Sequence, residues 1–225
     1  MKRISLLLVV VLILSLIVVG CNSAQKADEP AAEPIDVVIG GLKGPTSMGM
    51  IKVIDEASIS KNYNTSFIIE GAPDALTGKI ISGEVQIAAV PTNLASVLYN
   101  KTEGKIQFLA LNTLGVIHIV GTEDVSSLEE LEGKTLHISG KGFTPDYAVN
   151  YMLQQKGLAD KVQLNFSPDH ITLAQKVAAG DTSIAVLPQP FVTQVMMKNP
   201  NVKLLVDLNE VWNEVDGGNS AFAMG

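Results

Sequence analysis

KIISGEVQIAAVPTN at residues 79–93 and KVAAGDTSIAVLPQP at residues 176–190 carry one pattern twice. Each begins on a lysine near the end of an amphipathic run. Each then passes a glycine and an acid, crosses an apolar run, and leaves it at proline and a polar residue. Glycine ends helices and opens turns. A short apolar run without strict alternation reads as a strand covered on both faces. Helix, turn, buried strand and loop, repeated in that order, predict an alternating α/β chain with mostly parallel sheets and helices on both faces.

The same reading extends outward from both copies. Residues 35–39 (IDVVI), between Pro34 and Gly40-Gly41, read as a first buried strand. Met50, Ile51, Ile54 and Ala57 recur at helical spacing after a start near Met48. Further strands are expected at 67–69, 85–90, 107–111 and 115–120, with helices at 74–81 and 92–98. The order then restarts, with strands at 135–138, 162–166, 183–187 and 202–205 and helices at 146–155, 172–179 and 190–197. Two successive α/β units are the expectation.

The 225 residues suffice for one large or two small cores. The net charge of -7 becomes more negative once Lys2 and Arg3 are set aside as part of a leader. No later Lys/Arg-rich run exists, which argues against nucleic acid as a partner. Residues 1–21 have the signal-peptide pattern: a positive start, the apolar run 4–19, then Gly20-Cys21. Val18-Val19-Gly20-Cys21 resembles a bacterial lipoprotein cleavage box, which makes Cys21 the lipidation site. Cys21 is the sole cysteine, so no intrachain disulfide is possible. Acyl chains on Cys21 would hold the protein at the outer face of the membrane. Residues 22–34, rich in Ala, Glu and Pro, read as a flexible tether.

Ligands of open α/β sheets bind beyond the carboxyl ends of the strands. That rule selects the loop Lys43-Gly44-Pro45-Thr46-Ser47, where Thr46 and Ser47 offer hydroxyls that either cap a helix or hold a ligand oxygen. It also selects Asn93 after Pro91-Thr92, Thr113 after Asn112, and Phe143 and Thr144 in the glycine-opened loop 140–145. Gln189 between Pro188 and Pro190 completes the set. Phe143 is suited to stacking on a planar solute or to packing. Lys43 would add a positive charge.

Catalytic and cofactor signatures are missing. The chain has no GxGxxG and no GxxxxGK[ST]. It has no GxSxG elbow and no HExxH pair. His118 and His137 lie in apolar strand patterns and read as packed. His170 follows Pro168-Asp169 in a loop and is expected at the surface or at a cleft rim. Met48, Met50, Met196, Met197 and Met224 form no methionine-histidine cluster and read as core filling. No enzyme, metal or cofactor is expected.

The segments LKGPTSMGM (42–50), ISGEVQIAAVPTNLASVLYNKT (81–102), LNTLGVIHIV (111–120), GKGFTPDYAVNYMLQQKGL (140–158) and IAVLPQPFVTQVM (184–196) resemble the substrate-binding lipoproteins of ABC importers. The similar group includes the nitrate, sulfonate, taurine and thiamine-precursor binders. The resemblance implies a two-lobed periplasmic-binding-protein-like α/β fold of type II topology. Lobe one would span 35–114 and lobe two 115–205, with 206–225 returning to lobe one. It implies hinges near 114–116 and 206–207, and a small polar, anionic or aromatic solute between the lobes. ABC permease subunits would be the partners of an otherwise monomeric protein. Relatives run on beyond the stretch NSAFAMG (219–225), which reads as the start of a strand, so the chain looks shortened and lobe one incomplete. Relatives often carry Glu where this chain has Gln189, which puts a cationic solute in doubt. Alternative classes are a sensing lipoprotein uncoupled from transport, or a degenerate paralogue without binding activity. An enzyme of pyrimidine biosynthesis shares a related fold, but its cysteine and histidine constellation is missing.

Overall fold

Strand β1 (Ile35–Leu42) becomes fully buried over its second half, which places it in the centre of a sheet ordered β2-β1-β3. Its neighbours are β2 (Tyr63–Glu70) and the short β3 (Ile87–Ala88). β1 and β3 are parallel, with Ile39 facing Ile87 and Gly40 facing Ala88. Gly40 is needed here, because a Cβ would meet Leu76 Cδ1 at 2.7 Å. The computed structural model describes residues 33–56 and 61–225. Helices α1 (Pro45–Met48), α2 (Ile51–Glu56), α3 (Pro73–Ile81) and α4 (Thr92–Lys101) accompany this sheet. α3 buries Leu76 and Ile80, and α4 buries Leu94 and Leu98. These i, i+4 pairs form the apolar stripe that each helix lays on the sheet. They close a core with Leu42, Val85 and Val90.

The second sheet has the order β6-β5-β7-β4-β8 among the described residues. Its strands are β4 (Ile117–Gly121), β5 (Thr135–Ser139), β6 (Gln163–Ser167), β7 (Ile184–Pro188) and β8 (Lys203–Asp207). β5 is parallel to β6 and β7, whereas β4 is antiparallel to both β7 and β8. The helices are α5 (Thr144–Gln155), α6 (His170–Ala179), α7 (Phe191–Lys198) and α8 (Leu208–Asp216). Alternation along a strand sends successive side chains to opposite faces, and both faces of this sheet are covered. Ile117, Ile119, Ile184 and Val186 join Leu136, Met152 and Leu153 on one side. Val120, Ala185 and Leu187 join Leu173, Val177, Val192 and Val195 on the other. Double-sided cover explains why these strands lack a polar alternation in the sequence.

The chain passes from the first sheet to the second through residues 113–117, and its last residues return beside that crossing. Leu114 and Ala223 form an antiparallel bridge. Gly115 N–H donates to Phe222 O at 2.7 Å, Met224 N–H to Thr113 O at 2.9 Å, and Asn112 N–H to Gly225 O at 2.9 Å. Residues 36–225 cluster as one unit.

The two mixed or parallel sheets, each flanked by helices, have the predicted two-lobed α/β architecture. Three local expectations change. Residues 107–111, expected as a strand, form none, and their backbone has no ladder partner among the described residues. Phe108 and Leu109 in that run are exposed. β4 runs against its neighbours, which no local apolar pattern encodes. α8 went unread, although Asp207 caps it by accepting from Asn209 N–H at 2.9 Å and Gly217, at φ 65°, ends it. Its buried Leu208 and Val211 are a helical pair.

Candidate functional site

Six loops at the carboxyl ends of strands, three from each sheet, wall a cavity of about 480 Å³. From the first sheet come Lys43, Pro45 and Thr46 after β1, Gly71 to Asp74 after β2, and Pro91 after β3. From the second come Gly140, Lys141, Phe143 and Pro145 after β5, Phe166 to His170 at the end of β6, and Pro188 at the end of β7. Leu42, Ile117 and Met224 complete the wall. The volume lies in the range of small-molecule sites, and so does the chemistry: mostly apolar walls with a few polar groups.

Local backbone rules set the loops. Gly44 takes φ 135°, a conformation side chains disfavour, and turns β1 directly into Pro45 at the first position of α1. That turn sinks Thr46, whose side-chain hydroxyl is buried and bonds no protein group. A buried hydroxyl without a partner costs about 1–3 kcal/mol, and Thr46, which lines the cavity, carries one, as does the adjacent Ser47. Asp169 caps α6, accepting from Thr172 N–H at 2.7 Å and from its hydroxyl at 3.1 Å. The cap fixes the neighbouring His170 at the cavity wall. His170 Nδ1 lies 2.5 Å from Ser139 Oγ, and its ring leans on Phe191 at 5.8 Å. Burial pulls the imidazole pKa down to about 4, against the opposing pull of Asp169, so the ring is neutral at pH 7. Among the described residues, Lys43 and Lys141 form no ion pair, and Lys141 Nζ lies 5.3 Å from the centre of the Phe166 ring.

Of the residues expected to meet ligand, Lys43, Thr46 and Phe143 line this cavity together. Phe143 also packs against the core of the first sheet. Ser47 turns beneath β1 instead, where a Cβ on Gly41 would come within 2.4 Å of its Oγ. Thr113 is buried and donates to Asn112 Oδ1 at 2.9 Å. Gln189 Oε1 accepts from the Thr193 hydroxyl at 2.9 Å, at the start of α7. Asn93 and Thr144 bond across the two sheets. Asn93 Nδ2 donates to Gly142 O at 2.9 Å, and Thr144 Oγ1 lies 3.2 Å from Asn93 Oδ1 and 3.0 Å from Thr92 Oγ1. This clasp borders a neighbouring hollow lined by Tyr147, Tyr151, Trp212 and Phe222. Cys21 lies outside the described residues.

His170, expected at the surface or at a cleft rim, lines the cavity at the start of α6, beside the Asp169 cap. Three methionines differ from the core reading, since Met48, Met196 and Met197 are exposed, whereas Met224 is buried in the core and also lines this cavity. His118 Nδ1 lies 3.4 Å from Asp207 Oδ1, and burial followed by the nearby Lys176 lowers the pKa of His137. The sequence reading missed the loops at 71–74 and 167–170. Their signal was present, since Pro73-Asp74 and Pro168-Asp169 each follow a strand and open a helix. Among the described residues no group of three or more His, Cys, Asp or Glu is placed to hold a metal ion, and no helix is long and apolar enough to cross a membrane.

No protein-family profile matches the chain, and no curated protein matches it. Solved structures do. An ABC transporter protein from Parabacteroides distasonis superposes with a TM-score of 0.63 at 25% identity, over 77% of this chain and 59% of its own. The alkanesulfonate-binding protein SsuA from Xanthomonas axonopodis pv. citri, bound to MOPS, gives 0.58 at 15% identity, over 79% and 62%. A histidine kinase sensor domain with similarity to periplasmic binding proteins gives 0.56 at 15% identity, over 86% and 82%. The chain spans less than two thirds of the first two. Sheet order, the antiparallel β4 and these superpositions together give the chain the extracytoplasmic solute-binding-protein fold associated with ABC transporters.

Proposed function

We propose that the chain is the extracytoplasmic solute-binding component of an ABC import system, held to the membrane by lipid on Cys21 after removal of residues 1–20. Lobe one (35–114) and lobe two (115–205) would take a small solute between them, with 206–225 as the return segment. The supporting observation is the cavity bounded by strand-end loops of both sheets, with the buried, unpartnered Thr46 hydroxyl in its wall. Lys43, Thr46 and Phe143 are the ligand-contact candidates the cavity supports best, joined by Lys141 and His170. The walls suit a small molecule with an apolar or planar body and a polar end. Ligand contacts made to both lobes would favour a closed over an open arrangement, the form that permease subunits would recognise.

The second reading is a sensor uncoupled from transport. It draws support from the likeness to a kinase sensor domain, of which the chain covers 82%.

The test is a thermal-shift screen of the purified chain against small carboxylates, sulfonates, amino acids and nucleobases, repeated with Thr46→Val. A bound solute raises the midpoint by mass action. Removing an unsatisfied hydroxyl leaves the solute-free protein equal or more stable, whereas affinity for the solute drops about tenfold. A Thr46→Val protein that binds the solute as well as the wild type would refute the proposed site.

A further inference from the structure

His170 and Ser139 carry a consequence for which solutes fit, and it rests on the cavity being the solute site. Ser139 ends β5 and is 1% exposed. Among the described residues its hydroxyl has one partner, His170 Nδ1. A neutral imidazole protonates one nitrogen and leaves the other as an acceptor. If Nδ1 carried the proton, it would donate to Ser139 Oγ, and the buried Ser139 hydroxyl hydrogen would have no acceptor. If Nε2 carries it, Ser139 O–H donates to bare Nδ1 and both groups are satisfied. Leaving a buried donor unpaired is the costlier choice. His170 Nε2 bonds no protein group and is not sealed from solvent, in a residue that lines the cavity.

We propose that Ser139 is a positioning residue that locks His170 in the tautomer presenting Nε2–H to the cavity, so that the bound solute places a hydrogen-bond acceptor against it. Donors predominate among the other charged groups: the ammonium groups of Lys43 and Lys141 are donors only, whereas the unpartnered Thr46 hydroxyl can donate or accept. Asp169, the nearest acid in the chain, spends its oxygens on the α6 cap. Asp74 and the Ser167 hydroxyl stand on the same wall as acceptors. A cavity weighted this way takes a carbonyl, a carboxylate or an unprotonated ring nitrogen on an apolar body, and discriminates against a solute whose polar end only donates.

Nitrogen-15 NMR of the full chain reads the two ring nitrogens of His170 directly. The expected spectrum shows Nε2 protonated and Nδ1 bare at pH 7 in the wild type and in Ser139→Thr. Ser139→Ala is expected to populate both tautomers. Benzoate serves as the acceptor probe and benzylamine as the donor-only control. Benzoate should bind and move the Nε2 signal, with its Kd raised about tenfold by His170→Phe, a smaller rise in Ser139→Ala and none in Ser139→Thr. Nδ1 protonated in the wild type overturns the inference whatever binds. Benzylamine binding as well as benzoate overturns the acceptor rule. With the expected tautomer in place but no solute in the wider panel shifting the protein, the solute-binding reading falls first and takes the acceptor rule with it.

Discussion

Acidification should cost this protein about 3 kcal/mol through His170 alone. The ring's ordinary pKa of 6.5 falls to about 4 in the folded chain, chiefly because burial disfavours its charged form. Between those values the unfolded chain holds a proton that the folded chain refuses, so stability rises with pH there. The contribution is complete above about 6.5 and is lost as pH falls toward 4. At about 1.4 kcal/mol per pKa unit, the full difference is roughly 3 kcal/mol. Urea unfolding of wild type and His170→Gln at pH 7, 5.5 and 4.5 isolates it, since glutamine does not titrate. Carboxylates and His137, whose pKa burial also lowers, remain in both proteins and cancel. The wild type should lose more stability than His170→Gln over this range, by an amount approaching 3 kcal/mol at the acid end. Parallel losses in the two proteins would mean that the ring is not desolvated by the cavity wall.

Other perturbations address the fold and the clasp. Gly121→Ala would place a Cβ 2.0 Å from Ser183 O, a backbone atom that cannot yield easily, so a loss of about 1–3 kcal/mol is expected by chemical denaturation. Thr144→Val removes both hydroxyl contacts to Thr92 and Asn93 and should lower stability by about 1 kcal/mol, with faster amide exchange at the start of α4 and α5. Cys21→Ser should abolish incorporation of labelled fatty acid into the expressed protein; label retained by the variant would remove Cys21 as the lipidation site.

The α/β order was legible because buried strands leave short apolar runs between glycines and prolines, as at residues 184–187. Strand direction was not. β4 has the same apolar composition whether it runs with or against β7, and only the long-range pairing of Ile119 with Val186 reveals which. Residues 107–111 misled for the complementary reason, since apolar character makes a strand only where a neighbour offers a ladder. Within the site, the strand-end rule located Lys43, Thr46 and Phe143 but could not tell a donor aimed at a solute from one aimed at the protein. Gln189 and Thr113 look equivalent to Thr46 in sequence, yet each finds an internal partner one to four residues away. Thr46 has none, and that is a property of the packed turn rather than of its neighbours in the chain. His170 was undervalued because its meaning depends on Ser139, thirty-one positions earlier and on another strand.

The bridge between Leu114 and Ala223 has a mechanical consequence. One chain crossing joins the sheets, and Phe222–Gly225 lies along its Asn112–Gly115 stretch as a bonded ribbon. Hydrogen bonds across such a ribbon resist sliding and stretching, while torsion about its long axis stays soft. If the two halves move, such a ribbon would favour rotation over sliding and bring the same loops back to face one another.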